Sequence, residues 1–186
     1  MSLPGFLYHV SEGGGIRVFE PRMPSREVAG VDRPVVWAVD GDHLCNYLLP
    51  RDCPRVTFRA GPETTDGDVD RFLSSDRCLV VVALEESWLE AARRTALHVY
   101  RFDPGTFRLQ DRCAGYYVSD QRAVPLGEVQ VDDPLAAVTD AGAEVWVLGS
   151  LRELGEEVLN STLDYSIIRM PGAGKPDDPT RFRPLH

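Results

Sequence analysis

Lysine is almost missing from this chain. Of its 20 Lys and Arg residues only Lys175 is lysine, so Schiff-base chemistry has a single candidate amine. Basic patches are missing as well, because Asp and Glu outnumber Lys and Arg 29 to 20 and the net charge is −9. Nucleic-acid backbones are bound by basic patches that release counterions, so a nucleic-acid partner is not expected. No apolar run reaches the roughly 18 residues a membrane-spanning helix needs, and no membrane partner is expected. The start MSLPGFLYHV lacks a basic stretch followed by an apolar one, unlike a secretory leader. The expected location is the cytoplasm, where the four cysteines, Cys45, Cys53, Cys78 and Cys113, would be free thiols. None of them forms a CxxC pair. The H-x-C and C-x7-C spacings of His43, Cys45 and Cys53 are not zinc spacings, so no metal is expected.

What is present is ordinary for a globular protein: 43% apolar and 26% charged residues. Apolar runs rich in Val, Ile, Tyr, Phe and Trp recur at 6–10, 34–39, 55–60, 78–84, 96–102, 115–119, 128–131, 144–148 and 165–170, and read as strands. Cys78 opens one of them and reads as a buried small apolar residue. Helical spacing or capping residues mark DGDHLCNYLL, TDGDVDRFLSS, ESWLEAARR and DDPLAAVTDAG, with a weaker helix in SLRELGEEVLN because of Gly155. Strands outnumber helices without alternating with them, so the expected class is α+β with mixed, mostly antiparallel sheet. The expected organisation is one domain over 1–170 and a loose, Pro- and Gly-rich segment over 171–186.

Three clusters carry candidate chemistry. In FLYHVSEGGG, Leu7 and His9 share one face of a strand, and a three-glycine turn follows that could bring backbone N–H groups close to a ligand. His9 reads equally as a half-buried packing residue. In VVWAVDGDHLCNYLLPRDCPRV, Trp37 ends a strand, a short helix presents His43, Asn46 and Tyr47, and Arg51, Asp52, Cys53 and Arg55 fall around two prolines. Arg51 and Arg55 would favour a Cys53 thiolate with His9 or His43 as base, the basis of a cysteine-hydrolase reading. In NSTLDYSIIRM, Asp164, Ser166 and Ile168 share a strand face, a pattern that fits a catalytic pair or an exposed edge.

From LYHVSE and IRVFEPR through VVWAVD and NYLLPRDCPRVTF to AGYYVS and NSTLDYS, the chain resembles a small bacterial family known only as a domain of unknown function. LYHVS and VVWAVDGDHLCNYLL are also similar to the first two blocks of diphtheria-toxin-like and poly-ADP-ribose-polymerase-like ADP-ribosyltransferases. That resemblance implies an ADP-ribosyltransferase-like fold with NAD as cofactor. His9 would bond a ribose hydroxyl, Ser11 the nicotinamide amide, Trp37 would replace the strand tyrosine, and Tyr47 would stack on the nicotinamide. Arg51 is a candidate for the phosphates. The family's pattern has glycine where Val10 stands. Its late-strand glutamate has no clear counterpart; Glu128, Glu144 and Asp164 are the candidates, with Glu144 and Asp164 the candidate catalytic acids. The expected function is therefore binding of NAD or another small nucleotide, with ADP-ribose transfer if an acid reaches the ribose. The alternative is a non-catalytic binding or structural protein on the same scaffold.

Overall fold

Each apolar run that reads as a strand forms one, and the boundaries move by only one or two residues where they move at all. A computed structural model describes residues 5–24, 27–73, 80–173 and 183–184 of the chain. Its strands are β1 (Leu7–Ser11), β2 (Val36–Asp40), β3 (Arg55–Arg59), β4 (Val80–Glu85), β5 (Leu97–Phe102), β6 (Arg108–Asp111), β7 (Tyr116–Ser119), β8 (Gly127–Val131), β9 (Glu144–Leu148), β10 (Asp164–Ile168) and β11 (Arg183–Pro184). Four short helices accompany them: α1 (Asp66–Phe72), α2 (Leu89–Arg94), α3 (Pro134–Asp140) and α4 (Arg152–Leu159). The class is α+β. Cys78 lies outside the described residues, as does most of the 171–186 segment.

The chain divides into two compact units, one of Met1–Leu44 with Leu97–Val131, the other of Cys45–Ala96 with Asp132–His186. The first is a fully antiparallel sheet in the order β6-β7-β2-β1-β5-β8. One face packs Leu7, Val36, Ala38, Tyr100, Phe102, Phe107 and Ala123, with Ile16, Phe19 and Tyr117 against them. The other face holds Val31, Val35, Val118 and Trp37. Strand β6, RLQD, has no apolar pattern; it forms because β7 offers it an edge to pair with.

The second unit is a sheet in the order β10-β3-β4-β9-β11, antiparallel except where β4 and β9 run parallel. Phe58, Val81, Ala83, Trp146 and Leu148 line one face, under Phe72 of α1 and Leu154 and Val158 of α4. Each fully buried side chain of this kind contributes about 1.5–3 kcal/mol.

The helices begin where their sequences say. Thr65 accepts from the Asp68 N–H to cap α1, and Asp133 accepts from Ala136 N–H ahead of Pro134 in α3. Helix α4 forms in spite of Gly155, and packing explains the glycine. A Cβ there would meet Met170 Cε at 3.2 Å and Val56 Cγ2 at 3.8 Å. The N–H of Leu151 ahead of α4 bonds Oε1 of the buried Glu85. The helix expected over DGDHLCNYLL shrinks to one 3-10 turn, Leu44–Tyr47. Arg55 takes the carbonyls of Asn46, Pro50 and Cys53, which holds this segment as a loop. No helix among the described residues is long and apolar enough to cross a membrane.

Candidate functional site

His9 lies on β1, in the middle of the first unit's sheet. The β1–β2 register runs through Leu7↔Asp40 and Tyr8↔Val39, while β1–β5 pairing continues to Ser11↔His98. Past Tyr8 the His9 ring takes over the contact with β2, because His9 Nδ1 lies 2.9 Å from the Trp37 carbonyl oxygen. A carbonyl only accepts, so Nδ1 carries the proton and the lone pair of the neutral ring sits on Nε2. Phe19 tilts against the imidazole with centroids 4.8 Å apart, and its own edges meet Tyr100 and Phe102. Trp37 stands edge-on to Tyr116 at 5.4 Å. His9 is thus half-buried beside Phe19 on the face of Leu7, as its strand parity requires, while the Trp37 and Tyr116 rings lie on the opposite face of the sheet.

The glycine turn is knitted to the sheet. Gly13 N–H donates to Ser11 Oγ at 3.0 Å, and Gly15 N–H donates to both Glu128 carboxylate oxygens at 3.1 and 3.0 Å. Tyr100 Oη donates to the Gly13 carbonyl and accepts from Ile16 N–H. Burial lifts the Tyr100 phenol above its ordinary pKa, and the nearby Glu128 carboxylate adds to this. His98 Nδ1 donates to Glu128 at 2.7 Å, and the His98 ring lies where a Cβ on Gly14 would be, 2.4 Å away. Gly14 is therefore required by close packing. The N–H groups of Gly13 and Gly15, read from sequence as ligand donors, already have protein acceptors.

Another imidazole is fixed nearby in the chain. Asp40 Oδ1 accepts from His43 N–H at 2.9 Å and from His43 Nδ1 at 2.6 Å. The ring rests on Gly115, whose φ is +65° and where a Cβ would fall 2.4 Å from it. Asp40, after burial itself, also raises the Tyr117 phenol pKa.

The remaining candidates belong to the second unit. Asp164 shares a rung with Arg59 of β3, and Ser166 shares one with Thr57, so all four point to one face. Arg59 also donates to Asn46 Oδ1 at 3.0 Å, so the Asn46 segment and the Asp164 strand meet on this face. Thr57 is 1% exposed, and its hydroxyl has no hydrogen-bond partner among the described residues. Glu144 pairs with Val81, which pairs with Phe58, which pairs with Tyr165. Glu144 and Asp164 therefore lie on opposite faces. Glu144 Oε1 accepts from Trp146 Nε1 at 2.9 Å. Tyr47 is half-buried with its ring centroid 6.0 Å from the Arg55 guanidinium carbon. Arg51 is exposed, and its carbonyl is 3.4 Å from Arg169 Nε. Arg169 carries a left-handed backbone at φ 60°.

Cys53 departs from the thiolate reading. It is fully buried, and desolvation pushes its thiol up to about 12 in spite of Arg55. Burial also raises Cys45. The two arginines flanking Cys53 in sequence do not open it to solvent, because the Arg55 guanidinium is itself buried on backbone carbonyls. Among the described residues no group of three or more His, Cys, Asp or Glu side chains is placed to hold a metal ion.

Sequence reasoning missed Phe19, Tyr100 and the pairing of His98 with Glu128, although Glu128 itself is among the candidate acids. His98 and Glu128 are 30 residues apart and meet only through the β5–β8 register. The alternation in LHVYRF shows that His98, Tyr100 and Phe102 share a face, but not which face His9 uses.

Neither a curated protein nor a solved structure matches the chain. A family model does match, over residues 8–173, which takes in both units from the His9 strand to the turn after β10, and the chain belongs to that family, a family of unknown function (DUF6886).

Proposed function

We propose that this protein binds NAD or a related small nucleotide in the manner of the ADP-ribosyltransferase-like proteins its first strand resembles, with His9 receiving the ribose. The observation that supports this best is the His9–Trp37 hydrogen bond where the β1–β2 pairing stops. The Nδ1 proton is directed at a main-chain carbonyl, so the neutral ring presents Nε2 as its acceptor, the group to which a ribose hydroxyl would donate. Phe19, with its ring centroid 4.8 Å from that of the imidazole, supplies flat apolar surface of the kind a base or nicotinamide stacks on, whereas Trp37 and Tyr116 lie on the other face of the sheet and do not share that site. Ser11 lies on the same strand face two residues on, and its O–H is a donor for an amide carbonyl.

Binding without transfer is the second reading, and one observation favours it. Breaking the nicotinamide–ribose bond builds positive charge on the ribose, which a carboxylate must face. Of the three candidate acids, Glu128 is engaged by Gly15 N–H and His98, while Asp164 and Glu144 occupy opposite faces of their sheet and Glu144 is held by Trp146. At most one of Asp164 and Glu144 can serve a single ligand.

Calorimetric titration of NAD tests both readings. Saturable binding to the wild type that is lost in His9→Ala supports the nucleotide site. No heat with NAD at millimolar concentration, alongside a His9→Ala variant that is merely less stable, makes His9 a packing residue and removes the proposal. Release of nicotinamide that stops in Asp164→Asn or Glu144→Gln would identify the acid and an enzyme. Binding with no release supports the second reading.

A further inference from the structure

Strand β8 ends the first unit's sheet, and among the described strands it pairs with β5 alone. Its register with β5 is continuous from Arg101↔Gly127 to Leu97↔Val131, with no bulge to turn the edge away. Natural sheets guard such edges with charges, prolines or bulges. The one charge on β8 is Glu128, and its carboxylate is turned onto Gly15 N–H and His98. Val129 is left 65% exposed, with Val124 at 60% and Leu126 at 54% just before the strand. The edge is regular, its one charge is engaged within the sheet, and Val129 stands exposed at its centre.

We propose that this edge pairs antiparallel with the same edge of a second copy, centred on Val129. A two-fold axis perpendicular to the sheet keeps like faces together only if it passes through a residue position. Centred on Val129, the rungs are Val129 on Val129, Gly127 on Val131, and Glu128 on Gln130. Centred on Glu128, the two carboxylates would oppose each other. Centred on Gln130, Glu128 would oppose Asp132. Like charges directly opposite destabilise a ladder, so charge selects the Val129 register. The Val129 pair then lies on the face of Val99, its neighbour across β5, and extends that apolar stripe from one copy into the other. A ladder of five residues is at the low end of interface size, so the dimer is reversible rather than obligate.

Sedimentation equilibrium of the full chain over a micromolar-to-millimolar series tests this. The expected result is a monomer–dimer equilibrium that Val129→Lys weakens by about tenfold or more, through a like-charge pair on the axis. Leu159→Lys, at a residue 53% exposed on α4, leaves it unchanged. Hydrogen exchange on the wild type gives a readout free of any variant: amides in 127–131 slow as protein concentration rises. A monomer throughout the series overturns the proposal. So does a dimer that is indifferent to Val129→Lys or shows no slowing at 127–131.

Discussion

The Nδ1 of His9 is 2.9 Å from the carbonyl oxygen of Trp37, one residue beyond the last β1–β2 rung at Tyr8 and Val39. A side chain thus continues the contact between two central strands where their backbone register ends. His9→Phe keeps a ring against Phe19 but removes the donor from a half-buried carbonyl. We expect a loss of about 1 kcal/mol in urea unfolding, with His9→Ala losing more because the ring contact goes too. A His9→Phe variant as stable as wild type would mean that the bond contributes nothing to the fold.

Gly14 lies against the ring of His98, which in turn holds Glu128. Gly14→Ala should destabilise by about 1–3 kcal/mol through overpacking. The double variant Gly14→Ala, His98→Ala should recover part of that loss, since it removes the ring that the new methyl meets. Additive losses in thermal melts would show that the two positions do not touch.

Thr57 is buried on β3 with no hydrogen-bond partner for its hydroxyl among the described residues. Valine has nearly its shape and no polar atom to satisfy. Thr57→Val is therefore expected to raise stability by about 1 kcal/mol or more. A fall in the urea midpoint would instead mean that the hydroxyl is bonded in solution, by water or by a ligand.

The Cys53 thiol has its pKa raised from 9.0 to about 12 by burial. Because the folded value is the higher one, its contribution to stability is complete below about pH 9 and is lost as pH rises from there towards 12. Cys53→Ala should lessen the fall in stability over that window. At pH 8 iodoacetamide should modify Cys113 faster than the buried Cys45 and Cys53. Fast labelling of native Cys53, read by peptide mass, would revive the thiolate reading.

Asp68 behaves in the opposite direction. Hydrogen bonds from the Thr162 hydroxyl and N–H lower its pKa below 3.8, with smaller help from Thr65 and Arg71. A depressed folded pKa gives stability that is present above the ordinary carboxylate range and is lost as pH falls through the folded value. Asp68→Asn should therefore flatten the loss of stability below about pH 4. An unchanged acid limb in the urea midpoints would mean that the α1–Thr162 link does not persist in solution.

The sequence by itself determined the elements. Alternation and β-branched or aromatic residues located β1 to β5 and β7 to β10, and Thr65, Asp133 and Pro134 marked helix starts, because these signals act over a few neighbouring residues. It also placed Leu7 with His9, and Asp164 with Ser166, since side chains alternate along any strand. What only the tertiary structure decided lies between strands. Register put Glu144 and Asp164 on opposite faces, brought His98 to Glu128, and closed the glycine turn onto them. It gave β6 a partner in spite of its polar sequence, and it buried Arg55 on three carbonyls so that a helical pattern became a loop with a buried Cys53 inside it. A one-residue shift in pairing would reverse every one of those faces, and no local signal in the chain specifies that shift.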